Sequence, residues 1–173
     1  EALCIAVNLE DFPKVLAIAE QAPQFHATVG VHPEYTDVEE PDEARLLALA
    51  AHPKVVAIGE TGLDYYWHKE KPEWQRERFR THIRAARRCG KPLVVHTRES
   101  AADTIRLLAE EGAGEVGGVM HCFTENWEIA RQALDLGFHL SFSGIVTFKN
   151  AAIIKDVAQR CPLDRMLIET DSP

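Results

Sequence analysis

Seven short aliphatic runs alternate with six amphipathic stretches, and this alternation limits the possible fold more than any other feature of the chain. The runs are LCIAVN (3–8), FHATVGVHP (25–33), VVAIGETG (55–62), PLVVHTR (92–98), GGVMHCF (117–123), FHLSFSG (138–144) and RMLIETD (165–171). Several are apolar on consecutive residues, as strands of a parallel sheet covered on both faces are. Between them, DFPKVLAIAEQA (11–22) opens on Asp11 as an expected N-cap, and PDEARLLALAA (41–51) carries proline and acids in its first turn. PEWQRERFRTHIRAARRCG (72–90) runs from Pro72 to a stop at Gly90. ESAADTIRLLAEEG, ENWEIARQALDLG and NAAIIKDVAQR complete the helical set. Such a βα repeat predicts an α/β fold. A doubly wound open sheet usually carries a Gly-rich phosphate loop after its first strand, and this sequence has none. The expectation is therefore a (β/α)8 TIM barrel. Such barrels take about 250 residues, so 173 residues are expected to supply strands 2 to 8, without the first strand and the last helix. No linker or charge block divides residues 1–173, which read as a single domain. The chain opens on Glu1 rather than methionine and is expected to be an excerpt of a longer protein.

Composition narrows the function. With 46% hydrophobic and 27% charged residues the chain is ordinary for a globular protein. Its net charge of -8 argues against a general nucleic-acid coat or an anionic-membrane binder. It leaves room for a nuclease, because bound cations supply positive charge locally. Cys4, Cys89, Cys122 and Cys161 form no CxxC pair, which fits a reducing, cytoplasmic setting better than a disulfide framework. No apolar run approaches the roughly 20 residues that span a bilayer.

In a barrel the C-terminal ends of the strands meet around one pocket, and catalytic groups sit there. Reading that position strand by strand gives His32, Glu60, His96, His121 and Asp171, with Gly144 leaving room for a ligand. Each has an ordinary structural reading: a hydrogen-bonded histidine, a loop cap at Glu60, a turn start at Asp171 before Ser172 and Pro173. Together they make a stronger pattern, because chance rarely places carboxylates and imidazoles on strand tips so regularly. Imidazole nitrogen and carboxylate oxygen suit Zn, Mn, Fe or Mg. A carboxylate such as Glu60 can bridge two cations. Two cations roughly 3.5–4 Å apart can activate a water and clamp both oxygens of a phosphodiester displacement.

At these residues the sequence resembles the TatD family of metal-dependent DNases. GVHP (30–33), IGETGLDYY (58–66), VVHTR (94–98), GGVMHCF (117–123), SFSGIVTFKN (141–150) and LIETDSP (167–173) are similar to its successive motifs, in the same order. The resemblance implies a (β/α)8 barrel holding two divalent metal ions, of Mg, Mn or Zn. It implies hydrolysis of DNA phosphodiesters by a two-metal-activated water, with 3′–5′ exonuclease activity on single-stranded 3′ ends. It further implies that Glu60 bridges the metals, that His96 and His121 are ligands, and that Asp171 binds metal and helps activate the water. His32, Arg98 and Lys149 are candidate site-lining residues, the last two as phosphate contacts or as rim charges. The family's His-x-His pair on its first strand has no counterpart here. No membrane and no obligate protein partner is implied.

Other readings keep the barrel but change the chemistry. Relatives of this architecture cleave cyclic amides, lactones or aminoacyl esters, and many cyclic-amide hydrolases bridge their metals with a modified lysine where this chain has Glu60. A non-catalytic binding descendant is a third reading. Tyr65, Tyr66, Trp67, His68 and Trp74 either stack nucleobases or anchor a loop on the barrel rim. The basic run RERFRTHIRAARR is expected to be an exposed face offset by Glu73 and Glu77. By strand alternation Cys122 should point away from the pocket into the core. His26, His52, His82 and His139 fall at strand starts or on helices, away from it.

Overall fold

A computed structural model describes residues 1–171. Ser172 and Pro173, the end of the LIETDSP motif, lie outside the described residues. Seven strands form one parallel sheet in chain order: β1 (Ala2–Cys4), β2 (Phe25–Val29), β3 (Val55–Asp64), β4 (Leu93–Arg98), β5 (Gly118–Met120), β6 (Phe138–Phe142) and β7 (Met166–Ile168). Six helices join them: α1 (Phe12–Ala19), α2 (Glu43–Ala50), α3 (Glu73–Cys89), α4 (Ala101–Glu110), α5 (Trp127–Asp135) and α6 (Ala152–Arg160). The sheet curls in the manner of a TIM barrel. Six strands line one open cavity of about 350 Å³ with residues that include Leu3, Val56, Val94, Val119, His139 and Leu167. Among the described residues no helix is long and apolar enough to cross a membrane, and all four cysteines are free.

The core lies between sheet and helices. Leu46, Phe79, Ile83, Leu107, Leu108 and Val157 from the helices are fully buried in one cluster with Val29, Ile58, Leu93, Met120 and Leu140 from the strands. Each such side chain contributes roughly 1.5–3 kcal/mol of burial. Where β3 meets β4 the backbones come so close that a Cβ on Gly62 would lie 2.0 Å from the His96 carbonyl oxygen, and Gly62 has φ +139°. Only glycine fits there.

Helix α3 ties the scaffold to the strand tips. Gln75, Arg78 and His82 recur at helical spacing and so share one face. Gln75 donates to Pro33 O (3.0 Å), Arg78 to His32 O (3.1 Å) and Tyr35 O (2.7 Å), and His82 Nε2 accepts from Val31 N (3.0 Å). The helix ends as expected, with Gly90 in the left-handed region. Its basic run is carboxylate-paired throughout, exposed at Arg84, Arg87 and Arg88 and half-buried at Arg76 and Arg80, whereas Arg78 is only 4% exposed and pairs with Glu40. Asp11 takes the N-cap position of α1 as expected, but without a side-chain cap bond. Its side chain accepts from the Asn8 and Lys14 side chains rather than from a helix amide, whereas Asp42 and Asn126 do cap theirs.

Candidate metal centre

Glu60 stands at the middle of the site. It lies inside β3, where the register to β4 shifts between Ile58 and Thr61. Its amide donates to Ala6 O at 2.8 Å. Its Oε1 is 3.3 Å from His96 Nδ1, 3.5 Å from His32 Nε2 and 3.7 Å from His121 Nε2. One carboxylate oxygen thus faces three imidazoles carried by three different segments.

The outer partner of each ring decides what it presents inward. His96 donates from Nε2 to Asp64 Oδ2 at 3.0 Å, which leaves Nδ1 toward Glu60. His121 donates from Nδ1 to Glu169 Oε2 at 2.9 Å, which leaves Nε2 toward Glu60 and toward Asp171 Oδ1 at 3.2 Å. His32 is the opposite case. Its Nδ1 accepts from the Glu34 amide at 3.2 Å, so its proton sits on Nε2 and it points a donor at Glu60. Asp64 is itself held, its Oδ1 accepting from Tyr66 N (2.9 Å) and its amide donating to Gln75 Oε1 (2.9 Å).

The charges agree with this sorting. Burial, helped by the neighbouring His96, pulls His32 down to about 4 and keeps it neutral. Burial opposes charge on His121 as well, but Glu169, Glu60 and Asp171 outweigh it and push the ring up to about 9. At His96 burial is likewise outweighed by Asp64 and Glu60, and the pKa is raised. At Glu60 burial is outweighed by the three imidazoles, above all His96, which hold the carboxyl below its usual value.

The metal-capable side chains fall into two groups, His32–Glu60–His96 and His121–Glu169–Asp171, the atoms of each within 4.8 Å of one another; with its proton on Nε2, His32 supports Glu60 in the first rather than offering a lone pair. Nitrogen and oxygen donors spaced this way fit divalent cations such as Zn, Mn or Mg. Glu169 Oε1 is buried without a hydrogen-bond partner, the kind of acceptor a cation satisfies. Four carboxylates (Glu60, Asp64, Glu169 and Asp171) crowd three imidazoles, a surplus of negative charge that favours a bound cation.

Of the residues named from sequence, His32, Glu60, His96, His121 and Asp171 come together. Arg98 and Lys149 stand exposed beyond them. The strand-tip register is looser than expected. Glu60 lies four residues before the end of β3, and His32 three residues past the end of β2. Cys122 needs correction. The strand β5 stops at Met120, so alternation no longer governs Cys122, which has φ +41° in the following turn. Its Sγ lies 3.2 Å from Ser143 Oγ rather than in the core, and burial, with Asp171 and Glu169 nearby, pushes the thiol up to about 11. Asp64 and Glu169 were missed. Their signal was position: Asp64 follows Glu60 by four residues on one strand, and Glu169 precedes Asp171 by two.

A curled parallel sheet with imidazole and carboxylate donors gathered at its strand ends defines a class of βα-barrel proteins built for divalent cations. The family model described as TatD related DNase matches residues 1–173, and the chain belongs to that family. It is 46% identical over 175 residues to the Escherichia coli K12 protein named uncharacterized metal-dependent hydrolase YcfH, covering 99% of this chain and 64% of that one. It is 34% identical to the 3′-5′ ssDNA/RNA exonuclease TatD of Cronobacter turicensis, covering 99% of this chain and 66% of the relative. Among solved structures, the TatD homologue YJJV of Escherichia coli K12 superposes with a TM-score of 0.88 at 29% identity, over 99% of this chain and 67% of that one. The chain thus spans just under two thirds of the length of the curated relatives it matches.

Proposed function

We propose that this protein hydrolyses phosphodiester bonds with two divalent cations of Mg, Mn or Zn, and that it shortens single-stranded DNA from the 3′ end. The observation that carries this reading is Glu60 Oε1, within 3.7 Å of three imidazole nitrogens: it belongs to one donor group and reaches His121 of the other. The family description and the activity in the name of the Cronobacter relative support nucleic acid as the substrate. Residues 1–173 act as one hydrolase domain, and the free cysteines fit a reducing cytoplasm.

Two cations, when bound there, would supply acidification of a water and neutralisation of charge on the phosphoryl oxygens. Glu60, His96 through Nδ1, His121 through Nε2 and Asp171 would hold them. With a cation displacing the inward proton, Asp64 and Glu169 would keep the two rings in opposite tautomers, so that each turns a lone pair inward. Asp171, half exposed and 3.2 Å from His121 Nε2, takes the proton of the attacking water on its carboxylate and aligns that water with phosphorus, while the P–O ester bond breaks and the departing oxygen takes a proton from solvent. His32 donates to Glu60 and fixes its rotamer. Arg98 and Lys149 receive the flanking phosphates.

The test is degradation of a 5′-labelled single-stranded oligonucleotide by the full-length protein with Mg or Mn. Wild type should produce a shrinking ladder. Glu60→Gln should slow it at least about 100-fold, in line with the loss of a group that organises the transition state, and should lower the bound metal. DNA left intact by a wild type that binds metal would move the assignment to acyl-ester or cyclic-amide hydrolysis.

A further inference from the structure

The positive charge of this molecule is unevenly committed. Among the described residues, all but four of the 19 lysines and arginines have a carboxylate or main-chain carbonyl partner. The four are Lys69, Lys71, Arg98 and Lys149, all exposed. Lys69 and Lys71 lie in the loop after β3, Arg98 ends β4, and Lys149 lies in the loop after β6. Every one is on the rim that surrounds the candidate metal centre. Glu70 and Glu99 stand in the same segments, but neither lies within 4 Å of these cations.

The exposed aromatic rings share that rim. Tyr35, Tyr66, Trp67, Trp74 and Phe148 are the exposed members of their type among the described residues, and all follow the C-terminal ends of strands. Tyr66 is joined directly to the site, since its amide donates to Asp64 Oδ1 and Asp64 in turn holds His96. The Arg98 guanidinium stacks over the Tyr66 ring at 3.8 Å, and the Trp67 ring meets Tyr66 edge-on at 4.7 Å. On the other side of the site the Tyr35 ring lies 6.2 Å from His32.

Loop anchoring does not account for these rings. That task falls to Tyr65, which is 3% exposed and donates to Asp103 Oδ2 at 2.7 Å. Trp67 is 60% exposed and makes no such bond among the described residues. An apolar surface left in water beside unpaired cations, on a chain of net charge -8, suits a ligand that is both anionic and flat-faced. A polynucleotide single strand is both, whereas a duplex hides its base faces.

We infer that Tyr66, Trp67 and Arg98 form a stacking platform for the unpaired bases of a polynucleotide strand whose backbone passes over Lys69, Lys71 and Lys149. The inference rests on the hydrolase reading for its choice of ligand. Arg98 stiffens the platform from behind and meets a phosphate at its edge. The platform positions the strand, and the reacting phosphate stays with the site residues.

The test separates binding from turnover. Full-length protein in EDTA is titrated with a single-stranded oligonucleotide carrying 2-aminopurine, whose fluorescence is quenched by stacking. Wild type should quench it. Trp67→Ala and Tyr66→Leu should each weaken binding roughly 5- to 150-fold, the range for one stacked base. Trp67→Phe should restore most of it. Three or four phosphate contacts should give a log affinity against log salt slope of roughly -2 to -3. Unchanged melting temperatures would show that the exposed positions carry no fold. Alanine and leucine variants that bind like wild type, or a blunt duplex that binds as tightly as the single strand, would overturn the platform. A strand that binds and quenches here yet survives with Mn would sink the hydrolase reading while leaving the platform standing.

Discussion

His82 and His121 are both withdrawn from water, yet they sit at opposite ends of the histidine range, at about 4 and about 9. Burial pulls both down. What differs is the company. His82, on α3, hydrogen-bonds only to the main chain: it donates from Nδ1 to Arg78 O at 2.7 Å and accepts from Val31 N at 3.0 Å, while the Arg78 and Glu40 charges act on it in opposite senses. His121 meets three carboxylates. In the helical layer, histidine is a neutral relay that fastens a helix to the loop bearing His32. At the strand tips it belongs to an anionic surplus that attracts a cation, whether proton or metal. The same residue type therefore holds the scaffold in one region and readies chemistry in the other.

Acid should break the scaffold side first. The folded pKa of His82, about 4, lies below its usual 6.5. The unfolded chain therefore binds the proton first, and stability that is complete above pH 6.5 is lost as pH falls toward 4. That difference corresponds to about 3 kcal/mol. His32, also lowered to about 4, acts in the same window and direction. Glutamine at 82 can make both bonds without titrating. Urea unfolding of His82→Gln across pH 7 to 4 should thus give a flatter decline than wild type, with the metal content unchanged. An equally steep decline would remove His82 from the account.

The tip side is probed through the carboxylates behind the rings. Asp64→Asn and Glu169→Gln leave the inward donors in place but weaken the grip on the His96 and His121 tautomers. Each should cost roughly 10- to 100-fold in metal affinity, the usual penalty for an orienting carboxylate. Competition against a chelating dye would read it, with thermal stability as the control. If Glu169→Gln abolished binding outright, Glu169 would be a ligand in its own right, as its unpartnered Oε1 allows.

Most of the architecture is legible in the sequence because βα alternation is a periodic signal, and periodic signals survive small errors in boundaries. The tips are less legible. The run FHATVGVHP looks like one strand, but pairing ends at Val29, since Gly30 and Val31 leave the ladder toward His82. Glu60, His96, His121 and Asp171 stood out by residue type at the ends of apolar runs. Asp64 and Glu169 did not, because a buried acid that bonds a neighbour's ring looks in one dimension like the first polar residue of a loop. Cys122 was misplaced for a related reason: the positive φ that turns it toward Ser143 has no marker in the sequence.

The smallest effect should come from charge that stays in water. Arg84 grips Glu111 through two bonds of 2.8 Å across α3 and the end of α4, good geometry with the arginine side chain 45% exposed. Solvent screens such a pair and its long side chains lose freedom on forming it, so Arg84→Ala should cost about 1 kcal/mol or less. Metal content and oligonucleotide binding should not move. The contrast with Asp64 is then one of surroundings rather than of charge. Asp64 is 1% exposed and answers to a ring that faces the metal centre, whereas Glu111 answers to Arg84, whose side chain is 45% exposed, and to Arg80 besides. A shift in urea midpoint as large as that expected for His82 would mean that the ion-pair belt around α3 holds the loop bearing His32, and that scaffold and tip are coupled through charge after all.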